Sequence, residues 1–305
     1  VANQANPTAT KVVKGMSLRG TSAPAALFWS LTSVIQMTFT GGDTTWSFTT
    51  LTDQSSILSS SSVVEFDGVY YWPGVDRFLV FNGTLRELPN EMNLDFFFTN
   101  LNFNQRQKVF GYKIPRWGEI WWCFPTGESL ECNHAVIYDV RENTWYDTPL
   151  PADGRSAAYF AQSWLYPVLF GANTYQGARQ LYQHEYGNDE IINTQVNAIP
   201  SFIISSDVSI ISGVLPANQP RWTQLVHFEP DFLYGASMTI DILTRQFAQD
   251  TDVVAQTNTI AQGDNYFATQ VQGRYIRWKF GSNVQNGYYI MGTPLVAYRD
   301  GDQTP

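Results

Sequence analysis

The chain has 305 residues, a net charge of −9, 44% hydrophobic residues and only 15% charged ones. That much apolar area excludes a disordered chain, because burying it offsets the entropy lost on ordering. The acidic residues are spread and no run of Lys or Arg exists, which excludes tight binding to a phosphate backbone.

Aromatic residues make up 15% of the chain. They fit a pleated, half-buried surface and are poor guests in helices, so the composition points to strands. Low charge with many aromatics also suits a surface covered by neighbouring subunits. No apolar run reaches the ~18–20 residues of a membrane helix. No secretory leader is recognisable, and the chain begins at Val1 rather than Met, so residues upstream of Val1 are expected.

In chain order, short apolar runs alternate with turn residues. Residues 34–51, VIQMTFTGGDTTWSFTTL, read as strand, Gly-Gly-Asp turn and strand. The run SSILSSSS at 55–62 reads as a polar outer strand or loop. GVYYWPG at 68–74 is a strand that precedes a hairpin at 77–89, RFLVFNGTLRELP. Asn82-Gly83 at its tip predicts a tight turn with positive φ. Residues 91–112 resist a strand reading: Asn93 is placed to cap one short helix, and Asn102 or Asn104 a second one. EIWWCFP at 119–125 and SAAYFAQ at 156–162 precede two further hairpins, at 134–151 and 165–187.

A strand followed by a hairpin, recurring every few tens of residues, is the mark of a propeller blade. Phe39, Phe81, Tyr138 and Phe170 take equivalent strand-end positions, and the longest step contains the helical insert. An irregular meander without radial closure is the alternative. After about residue 190 the strands become longer, at 225–232, 236–249, 273–283 and 288–302. In RYIRWKF, Ile276, Trp278 and Phe280 alternate with Tyr275, Arg277 and Lys279, as in a sheet with one wet face. The expected fold is all-β: propeller-like blades over 1–190 with one short helical insert at 91–112, then an antiparallel β-sandwich over 191–305.

Chemistry is sparse. Of the carboxylates Asp43, Asp67, Asp76, Glu119 and Asp139, most sit in or beside turns, where Asp serves backbone geometry. GGDTTWSF lacks the spacing of a sialidase Asp-box. No GxSxG, HExxH, GxxxxGK[ST] or GxGxxG motif is present. Trp121-Trp122 invites a sugar-stacking role, but in a strand adjacent side chains take opposite faces. Cys123 and Cys132 bracket FPTGESLE; a disulfide is open, and two reduced thiols are favoured. His134, His184 and His227 are isolated. No catalytic, cofactor-binding or metal-binding residue is nominated, no cofactor is expected, and the chain reads as non-enzymatic. A carbohydrate-binding or glycan-cleaving propeller, as in a receptor-binding protein, is the alternative.

The segments YYWPGVDRFLVFNGTLRELPN, GEIWWCFP and ECNHAVIYDVRENTWYDTPLP resemble the tail hub or nozzle proteins of short-tailed bacteriophages, also called packaged-DNA stabilisation proteins. HFEPDF, MTIDILTRQFAQ, GRYIRWKFGSN and NGYYIMGTPLVAYRDGD are similar to the closing domain of that family, so the resemblance runs from about residue 60 to the end. It implies a propeller body and a homo-oligomeric ring of six subunits below the portal and adaptor proteins. Tail spike or needle proteins would attach to it, in a virion tail assembled in the host cytoplasm, with no membrane anchor. Viral DNA would pass through without specific binding, along an acidic channel. Four recognisable blades are fewer than a closed propeller of that family uses.

Overall fold

The computed structural model describes residues 10–42, 45–89, 96–150, 154–161, 163–175, 178–208, 222–261 and 263–301. The chain forms two compact units, 1–186 and 187–305, dividing slightly before the boundary expected from sequence.

The first unit is a succession of antiparallel blades. Blade 1 holds β1 (Val12–Ser17), β2 (Ala25–Ser30), β3 (Val34–Phe39) and β4 (Trp46–Thr52). Blade 2 holds β5 (Val64–Phe66), β6 (Val69–Pro73), β7 (Phe78–Phe81) and β8 (Leu85–Leu88). Helix α1 (Phe96–Asn100) and a 3-10 helix (Phe103–Lys108) follow. Blade 3 then runs through β9 (Phe110–Ile114), β10 (Glu119–Phe124), β11 (His134–Asp139) and β12 (Thr144–Pro149). Blade 4 has three strands, β13 (Arg155–Tyr159), β14 (Val168–Tyr175) and β15 (Ala178–Gln183). The first strands β5 and β13 both lie against β9, so blades 2 to 4 start at the inner end and are built outward.

Several expectations need correction. The helical insert ends before Phe110, because Phe110–Ile114 pairs with β10 and starts blade 3. Asn93 lies outside the described residues. Asn102 precedes the 3-10 helix but does not cap it with its side chain, which instead donates to the Ser129 carbonyl at 3.0 Å. Phe170 is not equivalent to Phe39, Phe81 and Tyr138: with β13 innermost, the hairpin β14–β15 fills the second and third positions of its blade. The serine run is a largely buried link rather than an outer loop. Ser56 and Ser59 donate to the carbonyls of Ser30 and Val109, satisfying backbone groups between blades.

The blade faces turned to neighbouring blades are apolar, apart from a polar cluster between blades 3 and 4. Leu27, Trp29, Tyr70, Trp72 and Phe81 join blades 1 and 2, with Trp29 edge-on to Trp72 at 5.3 Å. Phe78, Trp122, Phe124, Tyr138 and the Phe97 ring of α1 join blades 2 and 3. Tyr112, Trp121, Cys123, Ile137 and Leu169 join blades 3 and 4. Trp121 and Trp122 therefore enter different cores, and neither faces solvent. Cys123 and Cys132 are free, buried thiols. Burial pushes Cys132 up to about 12.

The second unit opens on the hairpin β16 (Asp189–Ile192) and β17 (Gln195–Ala198), followed by β18 (Ser201–Ile204), β19 (Thr223–Glu229), β20 (Phe232–Gly235), β21 (Ser237–Arg245) and β22 (Val253–Ala261). Next come β23 (Phe267–Ala268), β24 (Gln272–Gly273), β25 (Tyr275–Ser282), β26 (Tyr288–Met291) and β27 (Leu295–Asp300). One sheet has the order β18-β25-β21-β22; the other centres on β19, which pairs with β23, β24 and β27. Met238, Ile240, Ile242, Ile276, Trp278 and Phe280 from the first sheet meet Leu225 and Phe228 from the second. That is a β-sandwich, and Ile276, Trp278 and Phe280 face its core as the alternation predicts. The run 288–302 breaks into two strands around Gly292-Thr293-Pro294.

The turn at Asn82-Gly83 is looser than a two-residue hairpin: Phe81 pairs with Leu85, leaving three residues in the loop. Of the pair only Gly83 has positive φ, +103°, with open space where a Cβ would stand. Gly83→Val should cost about 1–2 kcal/mol by backbone strain alone. Trp122→Ala should cost about 3–5 kcal/mol through the cavity it leaves. Urea denaturation of both variants checks this ordering, and equal midpoints would contradict it.

Candidate functional site

The densest polar cluster lies where blade 3 meets blade 4. Glu119 opens β10, and its buried side chain shares a face with Trp121 because residues two apart in a strand point the same way. Register puts Tyr146 of β12 in the same row as Trp121, across Ile137 of β11. The Glu119 carboxylate accepts a hydrogen bond from Trp121 Nε1 at 2.8 Å and another from the Tyr146 hydroxyl. Burial, then the Glu119 charge, push the Tyr146 phenol well above its ordinary range.

Blade 4 supplies the opposite wall. Arg155 of β13 is buried; its Nε donates to His184 Nε2 at 3.1 Å, and its guanidinium lies 3.8 Å over the Tyr182 ring. Burial and the Arg155 charge hold His184 down to about 3, so it stays neutral and accepts on Nε2. Its ring meets Trp121 edge-on at 6.0 Å. Tyr112 of β9 adds a buried hydroxyl with no hydrogen-bond partner among the described residues. Glu185 follows β15 at φ +60°. Its residue surface stays exposed, yet desolvation by the surrounding walls, then repulsion from Glu119, raise its carboxyl to about 7.

A carboxyl raised by burial and by the charge of a second, hydrogen-bonded carboxylate has the character of a proton-transfer group. Among the carboxylates singled out from sequence, only Glu119 belongs to this cluster. Asp67, with φ +48°, forms a two-residue turn with Gly68. Asp76 pairs with Arg77 at 2.6 Å, and that contact lowers its carboxyl below the usual range. Asp139 accepts from the backbone N–H groups of Arg141 and Glu142 and shapes their loop. Asp43 lies outside the described residues. His134 contacts Asp147 at 2.6 Å, and in the second unit His227 contacts Glu229 at 3.2 Å. Sequence reading missed Arg155, His184 and Glu185 as members, because no local motif ties them to Glu119.

A second feature is a cleft of about 600 Å³ on blade 4, lined by Trp164, Leu165, Tyr166, Leu181 and Gln183. Among the described residues, no group of three or more His, Cys, Asp or Glu is placed to hold a metal ion. No helix of the described residues is long and apolar enough to cross a membrane.

No protein-family model matches the chain, and no curated protein matches it. Among solved structures it is similar to a glycoside hydrolase family 43 arabinoxylan arabinofuranohydrolase from Bacillus subtilis in complex with cellotetraose. Identity there is 8% and the TM-score 0.28, over 94% of this chain and 79% of that one. A structure described as a glycoside hydrolase gives 10% identity and a TM-score of 0.30, over 89% and 81%. The core factor of S. cerevisiae gives 7% and 0.31, over 90% of this chain and 46% of that one. The reading of the chain as non-enzymatic is corrected on this finding, since two of these structures are glycoside hydrolases. At such TM-scores the likeness assigns this chain no activity.

The raised Glu185 carboxyl has a measurable consequence. It binds its proton more tightly in the folded protein than in the unfolded chain, where the value is ~4.3. Its stabilising contribution is complete at pH below the unfolded value and is lost as pH rises through about 7. Relative to Glu185→Gln, the wild type should therefore lose stability between about pH 5 and about pH 8. Parallel urea titrations across that range check it; a difference that does not change with pH would contradict the shift.

Proposed function

We propose that this chain is a component of a short phage tail and works as an assembly of several copies that DNA traverses. The observation that supports this best is where the motif string falls. YYWPGVDRFLVFNGTLRELPN builds β6 to β8, GEIWWCFP builds β10, and ECNHAVIYDVRENTWYDTPLP builds β11 and β12. The resembling segments thus cover three of the four strands in each of blades 2 and 3, β6 to β8 and β10 to β12, and resume in the sandwich. A net charge of −9 without a basic stripe suits a wall past which DNA slides without sticking. Light scattering of the native particle is the direct test. A mass several times the 34.5 kDa of one chain is expected, and a monomer at every concentration would overturn the reading. Duplex DNA should bind weakly at physiological salt; tight binding would contradict passage without capture.

A second reading, recognition and cleavage of a glycan, is supported by Glu119 and Glu185. Glu185 would protonate the leaving oxygen of a glycosidic bond, and Glu119 would serve as the partner carboxylate. Release of reducing ends from a panel of polysaccharides is the assay. Glu185→Gln and Glu119→Gln should each lower the rate about 10²–10⁴-fold. Cleavage at the wild-type rate in both variants would remove the pair from the chemistry.

A further inference from the structure

We propose that Arg116, held over the rings of Trp117 and Tyr166 beside Glu119 and Glu185, is the recognition residue for a carboxylated sugar, so that the glycan taken at this site is an acidic one. This deepens the glycan reading above and rests on it.

The turn between β9 and β10 presents the residue. Trp117 and Gly118 both donate their backbone N–H groups to the Ile114 carbonyl, at 3.2 and 3.0 Å, and Gly118 takes φ +84°. Arg141 spends its guanidinium on this turn, donating to the carbonyls of Pro115 and Arg116 at 2.9 and 3.2 Å. The backbone that carries Arg116 and Trp117 is thereby fixed before any ligand arrives, and a fixed donor loses less freedom on binding.

The Arg116 side chain is exposed and is not spent on the backbone in this way. Its guanidinium carbon lies 4.7 Å from the centre of the Trp117 ring and 5.7 Å from that of Tyr166, and Nη1 donates to the Tyr166 hydroxyl at 3.4 Å. Among the described residues, no carboxylate forms an ion pair with it. A guanidinium set over aromatic rings is satisfied through its faces and keeps in-plane N–H groups for a ligand, and that fork matches a carboxylate.

The rings around it suit a sugar. Trp117 is 44% exposed and Tyr186 62%, and Tyr166 meets Tyr186 edge-on at 5.3 Å. A sugar ring has apolar C–H faces that lie on aromatic rings and polar groups at its edge that need hydrogen-bond partners, the mixture this surface offers. Trp117 stands two residues before Glu119 and Tyr186 directly follows Glu185, so rings and guanidinium flank the acid pair. Tyr166 also lines the cleft on blade 4 with Trp164 and Gln183, which gives the ligand room to extend past one sugar. A single cation suits one carboxylate. It does not suit a phosphate backbone, which several cations would have to neutralise.

The test is calorimetry on the full chain with three pairs of oligosaccharides, each an acidic member and a neutral counterpart: tetragalacturonate and its methyl ester, a hyaluronan tetrasaccharide and chitotetraose, sialyllactose and lactose. At least one acidic member should bind about tenfold or more tightly than its counterpart. Arg116→Ala should weaken that binding about 10- to 100-fold, and Arg116→Lys should recover only part of it, because an ammonium lacks the fork. Arg86→Ala, which removes an exposed charge on β8, should change nothing. Equal binding within every pair, no loss in Arg116→Ala, or an equal loss in Arg86→Ala would overturn the proposal and leave the glycan reading standing. A single-stranded oligo-dT that binds more tightly than every sugar and depends on Arg116 would make this a nucleic-acid site instead. If no oligosaccharide binds, the proposal falls, and the absence of released reducing ends from polysaccharides would take the glycan reading with it.

Discussion

The first unit depends on a single constraint: a blade with neighbours on both sides must be apolar on both faces. A sheet with one wet face tolerates strict alternation of apolar and polar residues, whereas a sheet buried on both faces needs apolar residues in succession. The strand EIWWCF meets that need, with all of its residues buried, Glu119 included. The close approach of sheets shows at Gly111, where a Cβ would stand 2.6 Å from Val64 and 2.9 Å from the Trp122 ring. Trp122 completes the joint by donating its Nε1–H to the Ser62 carbonyl at 2.8 Å. The serine run thus belongs to the packing between blades, supplying short polar side chains where backbone carbonyls would otherwise be buried without donors.

The second unit answers to the other regime. Its β21 and β25 alternate between core and surface, and the polar side pairs charges instead of burying apolar groups. Asp207 contacts both Arg245 and Arg277, and Arg277 reaches Asp252 at 3.0 Å. The arginines of these part-buried pairs lie on the two inner strands of the sheet, while Trp278 and Phe280 hold its inner face. The change in sequence texture near residue 190 is therefore a change in how many faces of a sheet are covered.

The polar cluster between blades 3 and 4 is the exception to the apolar rule. Burying Glu119 among aromatic rings is costly unless its oxygens are satisfied, and Trp121 and Tyr146 satisfy them. Arg155 finds His184 and the Tyr182 face on the other side. The same junction holds Tyr146, His184 and Glu185, each shifted from its ordinary range by burial and a neighbouring charge.

The sequence by itself determined the local elements. Strand periods, turn residues and the shift from apolar runs to alternation mark β3, β4, β6 to β8, β10 to β12, β19, β21 and β25 to β27, because those signals act between residues close in the chain. It did not reveal β1, β2 or β22, whose mixed composition gains meaning only from the strands beside them. Asn82-Gly83 marked a turn, but the loop length was set by the pairing of Phe81 with Leu85. Glu119 was visible as one carboxylate among several. Its partnership with Glu185 and the burial of His184 by Arg155 arise from packing blade 4 on blade 3, across a sequence separation that no motif spans. Tertiary structure also decided which aromatic side chains stay exposed, since Tyr159 and Phe170 look in sequence like any core residue. Local chemistry sets how a strand forms; the arrival of a neighbouring sheet sets what its side chains do.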